Sequence, residues 1–288
     1  MMLGSPSEPA PAVLRALVEA PHETSPARGG RLPPALEARY GGPLAIPLRH
    51  DRPAIVANFV STLDGVVSYN TPQAAGGGEI SGFFEPDRFV MGLLRALADV
   101  VLIGAGTLRE GRTEAWTANF IHPDSAGSFA ALRRSLGLRR HPLTAVVSGS
   151  GALDFEHPGL ADPTVEVVVV TTDGGAHRLA GRTPSHVDVR SVGDRIEPRD
   201  VLQTLALHGA ALVLCEGGPH LFGQLLAADL VDELFLTLAP QVAGRSKGAP
   251  RLNLVEDIAF DAATARWARL VELRQAGDHL FSRYRFSA

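Results

Sequence analysis

The chain has one cysteine among 288 residues, Cys215. A single thiol closes no internal disulfide and builds no Cys-based zinc site, so no metal is expected. Cys215 stands in an apolar run, where a thiol behaves as a small buried hydrophobe. No apolar run approaches the roughly 18 residues that a membrane span needs. The N-terminus lacks the basic region and long apolar core of a secretory signal, so a cytoplasmic location is expected. An excess of positive charge is missing too: 27 Lys and Arg stand against 31 Asp and Glu, a net charge of −4. That balance offers nothing to nucleic acid, and the lack of a span offers nothing to a membrane. What remains is 45% hydrophobic and 20% charged. This is the composition of a soluble globular protein with a sizeable core.

The chain is organised around Ala211 to Gly244. Ala211–Cys215 is an apolar run short enough for a buried strand. It stops at Glu216-Gly217-Gly218-Pro219. The two glycines allow a sharp turn and close approach of a ligand, because no Cβ stands in the way. Pro219 suits the first position of a helix. Leu221, Phe222, Leu225, Leu226 and Leu230 then recur at helical spacing, and a strand, Leu234–Leu238, ends at Pro240. Free N–H groups at the start of such a helix suit a phosphate. Glu216 stands beside them, either as a site carboxylate or as a turn residue facing water.

Ala54–Val60 reads as the first strand of the main domain. It runs into Ser61-Thr62-Leu63-Asp64-Gly65 and then Val66–Tyr69. Polar residues just past an apolar strand are where α/β folds bind ligands. Asp64-Gly65 fits a plain turn equally well. Glu85–Leu97 puts Phe89, Val90, Leu93, Leu94 and Leu97 on one helical face. Asp99–Ile103 is a strand that breaks at Gly104-Ala105-Gly106-Thr107. Arg109 replaces the third glycine of the dinucleotide fingerprint, which excludes a Rossmann site. The two glycines still permit close backbone approach, and Thr107 adds a hydroxyl. Arg109 and Arg112 suit a cofactor phosphate, or are solvated loop charges.

Helices are read at Phe129–Leu136 and Pro198–His208, and strands at Leu143–Val147, Val165–Thr171 and His186–Val189. Near-continuous apolar runs predict parallel strands covered on both faces. Arg266–Arg274 and His279–Phe286 flank Gln275-Ala276-Gly277-Asp278, a hairpin signal. Residues 1–50 hold nine prolines. They read as an irregular arm with one short helix at Ala12–Glu19, beside a main domain over residues 51–288. Trimming residues 1–30 is expected to leave that domain folded.

Four stretches, in their order and spacing, resemble one family. They are Asn58-Phe59-Val60-Ser61-Thr62-Leu63-Asp64-Gly65, Leu94–Asp99 leading to Gly104–Thr107, Glu216–Pro219, and Leu230–Glu233 leading to Ala239-Pro240. The set is similar to the reductase domain of the riboflavin pathway, the C-terminal half of the bacterial bifunctional deaminase/reductase. The resemblance implies a dihydrofolate reductase-like α/β fold, with a mainly parallel central sheet, an antiparallel C-terminal hairpin and helices on both faces. It implies NADPH as hydride donor and a small pyrimidine substrate bearing a ribose phosphate, reduced from the ribosyl to the ribityl form. It also implies a homodimer built on the C-terminal part of the sheet, with Trp267 or its hairpin neighbours at the interface. Some stand-alone members resemble dihydrofolate reductases in activity, so a pteridine is the alternative substrate. A non-catalytic NADPH binder is the alternative of another class.

On this sequence, Asp64 and Glu216 are the expected catalytic carboxylates. Asn58, Ser61, Asp64, Arg112 and Glu216 are expected at the substrate. Gly104, Gly106, Thr107, Arg109, Ser148, Gly217, Gly218, Pro219, His220 and Leu221 are expected at the cofactor. The family's Asp-Pro segment after the Gly-x-Gly-Thr turn is replaced here by Leu108–Ala115. The zinc signature of the deaminase half, a His-x-Glu with a Cys-x-x-Cys, is absent.

Overall fold

The computed structural model describes residues 13–20, 26–72 and 74–287. The N-terminal quarter contains β1 (Arg15–Glu19), β2 (Ala27–Gly30), α1 (Pro34–Tyr40), β3 (Leu44–Pro47), β4 (Ala54–Ser61), β5 (Val66–Ser68) and α2 (Gly78–Ser81). Next come α3 (Glu85–Leu97), β6 (Val100–Gly104), α4 (Ala105–Glu110), α5 (Ala118–Ile121), α6 (Ala126–Ser135), β7 (Leu143–Ser148), α7 (Pro158–Ala161), β8 (Val167–Thr171), α8 (Asp173–Leu179) and β9 (Val187–Ser191). The chain closes with α9 (Pro198–Leu207), β10 (Leu212–Cys215), α10 (Pro219–Ala227), β11 (Glu233–Leu238), β12 (Leu252–Asn253), β13 (Ala268–Ala276) and β14 (His279–Phe286).

Ten strands form one sheet in the order β1-β13-β14-β11-β4-β10-β6-β7-β8-β9. From β11 to β9 every neighbouring pair is parallel. The hairpin β13–β14 and the edge strand β1 are antiparallel to their neighbours. The expected mainly parallel sheet with an antiparallel C-terminal hairpin is therefore observed. Valine-rich runs such as β8, buried at every position, fit strands covered on both faces. On one face α3 and α6 pack Phe89, Leu93, Leu97, Phe129 and Leu132 against Val56, Val101 and Leu214. On the other, α9 and α10 pack Leu205, Phe222 and Leu225 against Ile55, Leu102 and Val213.

Two carboxylates start the central strands. Asp99 Oδ2 accepts from the N–H groups of Ala211 at 2.9 Å and Leu212 at 2.8 Å, and Arg28 donates to both Asp99 oxygens at 3.0 Å. Asp232 accepts from the Ile55 N–H at 2.8 Å and from Arg52 at 2.8 and 2.9 Å. Both aspartates belong to stretches that marked the family, and both register parallel strands whose first donors would otherwise go unpaired.

The segment before β4 differs from the sequence reading. Arg15–Glu19 is an edge strand paired with β13, not part of a helix. The outer edge of β13 offers a ladder of backbone donors and acceptors, and this tertiary pairing overrides local helix preference. Other described residues before β4 are regular too. β2 and β3 form a hairpin, and Leu14, Leu32, Leu36, Tyr40, Leu44 and Ile46 are buried in the same core as α3. Arg274, 1% exposed, donates to the Gly41 carbonyl at 2.8 Å and to Glu19 at 2.6 Å, and stacks on Tyr40. Residues 1–12 and 21–25 of the expected arm lie outside the described residues.

Candidate active site

The pleat decides which expected site residues can meet. Asn58 of β4 and Glu216, the residue after β10, lie beside each other in the parallel register, since Ala57 pairs with Cys215. Val56 and Leu214, two positions earlier, face the α3 side of the sheet, so Asn58 and Glu216 face it too. Thr237 of β11 shares that face. Ser61 is an odd number of positions from Asn58, points to the other face, and is 5% exposed.

Glu216 meets Arg95 of α3 beneath that helix. Arg95 Nε donates to both carboxylate oxygens, at 3.0 and 3.1 Å, and Nη2 donates to Oε2 at 2.7 Å. The two side chains are 2% and 7% exposed. Arg95 Nη1 also donates to the carbonyls of Ala115 and Thr117, at 3.1 and 3.2 Å. Glu216 is thus the anchor of a buried charge cluster joining β10, α3 and the loop after α4. Its carboxylate is occupied, and it holds the start of the Gly217-Gly218 turn in place.

Asp64 is exposed and folds back on its own loop. It accepts from Thr62 Oγ1 at 2.6 Å, from the Ala243 N–H at 3.0 Å and from the Gly244 N–H at 2.7 Å. The Thr62 hydroxyl first, and then the backbone donors, hold its pKa down at about 2. At neutral pH Asp64 is an acceptor of hydrogen bonds and not a proton donor. It closes the loop after β4 onto the segment after β11.

The two glycine turns lie side by side, because β6 and β10 are neighbours. The Gly218 N–H donates to Thr107 Oγ1 at 2.8 Å, which ties the turns together. A Cβ on Gly217 would stand 3.0 Å from Gly104 N and 2.7 Å from Leu221, so this position admits only glycine without movement. A Cβ on Gly104 would meet nothing within 4 Å, and one on Gly106 only Arg109 Nη2 at 3.9 Å. These two glycines front open space, and α10 opens beside them at Pro219. Leu221 is buried against the sheet, while His220 is surface-exposed and bonded to Asp257 at 2.7 Å.

Arg109 and Arg112 line a cleft of about 390 Å³ between the end of α4 and the loop after β7, which Asp154, Glu156 and His157 also line. The structure groups Arg112 with Arg109 and the β6 turn, and not with Asn58 on β4. Ser148 ends β7 with its side chain 3% exposed, and its Oγ has no partner among the described residues. Cys215 is fully buried, and burial pushes its thiol up to about 12, which leaves it unreactive.

Sequence reasoning missed two members of this face, Arg95 and Asp87. Both sit on α3, in a stripe that is otherwise apolar. Asp87 is 6% exposed, and burial raises its carboxyl to about 6, against the opposing pull of the nearby Thr237 and Ser81 hydroxyls. A polar residue in phase with Val90 and Leu94 is the available signal, since a buried polar group in such a stripe needs a partner.

Among the described residues no helix is long and apolar enough to cross a membrane, and no group of three or more His, Cys, Asp or Glu is placed to hold a metal ion. The sheet order, the terminal hairpin and the paired glycine turns define an α/β protein of the reductase fold class. Residues 53–279 match the RibD C-terminal domain, and the chain belongs to that family. The fold is shared with a pyrimidine reductase-like protein from Corynebacterium diphtheriae, 21% identical, at a TM-score of 0.64 over 82% of this chain and 92% of that one. It is shared with a Thermotoga maritima diaminohydroxyphosphoribosylaminopyrimidine deaminase/5-amino-6-(5-phosphoribosylamino)uracil reductase, 19% identical, at a TM-score of 0.60, with 82% of this chain but 57% of that longer one covered. The riboflavin biosynthesis reductase Rib7 of Saccharomyces cerevisiae is 15% identical, at a TM-score of 0.56, with 82% and 90% covered. A search of curated proteins finds no match.

Proposed function

We propose that the protein is an NADPH-dependent reductase acting on a 5-amino-6-(5-phosphoribosylamino)uracil-type pyrimidine or its diamino-pyrimidinone counterpart. In this reading the ribosyl side chain becomes ribityl. The observation that carries the reading is the joining of two features. One is a glycine cradle at the ends of β6 and β10. The other is a polar, partly buried face at the ends of β4, β10 and β11. A dinucleotide laid in the first would bring its reactive ring toward the second, where a hydrogen-bonding heterocycle would sit.

Gly104, Gly106, Thr107, Gly217 and Gly218 would hold the pyrophosphate, with backbone N–H groups at the start of α10. Arg109 and Arg112 would meet a phosphate at the adenosine end, near Ser148. Asn58 would contact the pyrimidine, and Asp64 would accept from its amino edge. A nicotinamide there supplies hydride; this chain positions the acceptor and excludes water. The test is a substrate panel. Purified protein is mixed with NADPH or NADH and either the pyrimidine or dihydrofolate, and loss of the reduced-nicotinamide absorbance is followed. Steady loss with the pyrimidine supports the reading. Loss with dihydrofolate alone moves the substrate to a pteridine, and binding without turnover makes the protein a non-catalytic binder.

Cofactor binding has its own check. NADPH at 100 times its Kd is expected to add about 2.7 kcal/mol of stability by mass action. Gly218→Val is expected to abolish that gain while the apo protein still folds, because the branch would enter the cradle beside Thr107. Full NADPH stabilisation in a folded Gly218→Val protein would remove this turn from the cofactor site.

The same reading includes a twofold dimer. Phe59, Leu236, Leu238, Leu273, Leu280 and Tyr284 lie on one face of the sheet by register, all half-buried, and Trp267 is 83% exposed. β1 already covers the outer edge of β13, so association would use this face and not the edge. Light scattering at micromolar concentration is expected to give twice the chain mass. A monomer mass would refute it.

A further inference from the structure

Between α2 and α3 the chain holds Phe83 at a φ of 54°, in the left-handed region, where a bulky residue is an outlier. The residue is also 65% exposed, so burial of the ring does not offset the strain. An exposed apolar side chain alone means little; one kept in a strained backbone state points to function. We infer that the Phe83 ring is the surface on which the flat heterocycle of the substrate stacks. That heterocycle is a pyrimidine in the reading proposed above, on which the inference rests.

Three observations carry it. First, the strain is built into the end of α2. Gly82 and Phe83 are both left-handed, and both N–H groups turn back to the Gly78 carbonyl, that of Phe83 at 2.8 Å. Glycine adopts this state freely and phenylalanine does not. Second, the turn is held from outside. Gln241 Nε2 donates to the Glu79 carbonyl at 3.0 Å and to that of Ile80. His279 Nε2 donates to the Ser81 carbonyl at 3.0 Å, and its ring stacks on Phe84 at 4.0 Å. The turn cannot relax without breaking contacts to the segment after β11 and to the start of β14. Third, the ring sits beside the polar face. A Cβ on Gly78 would stand 2.6 Å from Phe83 Cε1, and one on Gly77 would stand 3.0 Å from Val60 Cγ1. Two glycines therefore leave only backbone between the Phe83 ring and the end of β4. Val60 lies two residues past Asn58 and on the same face of β4.

A flat, polar ring asks for two things: an apolar surface for its face and hydrogen-bonding groups for its edge. Asn58 is half-buried, and its amide has no hydrogen bond among the described residues. Asn58 and Asp64 offer the edge contacts, and Phe83 offers the face. A ring laid on Phe83 is also shielded from water on that side.

The test uses the full-length protein with Phe83→Gly, Phe83→Tyr and Phe83→Trp. Phe83→Gly relieves the strain and removes the ring. It is expected to fold with a Tm no lower than wild type, to raise the KM for the pyrimidine by about 10-fold or more, and to leave kcat nearly unchanged. Phe83→Tyr is expected to restore most of the binding, because it keeps the stacking face. The same KM rise in Phe83→Tyr would reveal a structural role and overturn the inference. Phe83→Trp reports binding without turnover. Its fluorescence, above the wild-type baseline from Trp116 and Trp267, is expected to be quenched on titration with the pyrimidine in the absence of NADPH. Quenching by dihydrofolate alone would put a pteridine on the ring and overturn the pyrimidine assignment. Unchanged KM in Phe83→Gly, with no quenching in Phe83→Trp, would overturn the inference while wild-type turnover upholds the reductase reading. Quenching by the pyrimidine with no wild-type turnover would overturn the reductase reading and keep Phe83 as a binding residue.

Discussion

Removal of residues 1–50 is expected to leave a chain that does not fold. Leu14, Leu32, Leu36, Leu44 and Ile46 are each 6% exposed or less, and Tyr40 is 2% exposed. Burying one such aliphatic side chain contributes about 1.5–3 kcal/mol. Five of them amount to about 8–15 kcal/mol, the size of a whole domain's stability. The loss does not end there. Arg274 and Glu272 would be uncovered on the inner face of β13, and Asp99 would lose Arg28 while still holding the start of β10. Far-UV circular dichroism and a thermal melt of residues 51–288 decide the matter. A cooperative melt within a few degrees of the full-length protein would show that the segment is an accessory. Cutting only residues 1–30 already removes β1, β2, Leu14 and Arg28, and a large drop in Tm is expected there too.

Proline content concealed this. Averaged over fifty residues, nine prolines read as a chain that cannot build a core. Position by position they read otherwise. Pro33 and Pro34 stand at the N-cap and first position of α1, where a missing N–H costs nothing, and Pro47 ends β3. The apolar residues between them were present in the sequence but too widely spaced to form a periodic stripe.

The central sheet was legible because each buried parallel strand is a short, unbroken apolar run closed by glycine or a small polar residue. The C-terminal hairpin was legible because Ala276-Gly277-Asp278 interrupts two long alternating segments. The locations of the glycine turns followed from the same punctuation. The roles of the carboxylates did not follow. Glu216 is decided by Arg95, 121 positions away, and Asp64, beyond its neighbour Thr62, by the N–H groups of Ala243 and Gly244, 179 and 180 positions away. Parallel topology brings distant segments to one strand end, so local pattern gives the place of a carboxylate and not its partner. The same holds for Ser61 and Asn58, which share a motif yet lie on opposite faces of β4.

Arg95→Met is expected to cost about 3–5 kcal/mol, the range for removing one partner of a buried ion pair. Methionine fills much the same volume but leaves Glu216 charged, 7% exposed and without its cation, and leaves the carbonyls of Ala115 and Thr117 without their donor. Arg95→Lys is expected to recover little, because one ammonium cannot bridge both carboxylate oxygens and two carbonyls in the fixed fork that guanidinium provides. Glu216→Gln should be milder, since the amide oxygen still accepts from Arg95. The informative variant is the double substitution Arg95→Met with Glu216→Leu. It removes both charges, so it should be more stable than Arg95→Met alone by 1 kcal/mol or more. Urea unfolding of wild type, Arg95→Met, Glu216→Leu and the double variant gives the coupling energy directly. If Arg95→Met and wild type unfold at the same urea concentration, the ion pair does not hold β10 to α3. The NADPH melting shift of the double variant then separates stability from site geometry. Its core would be intact while the Gly217-Gly218 turn has lost its anchor, so a normal fold with a weakened cofactor shift is the expected result.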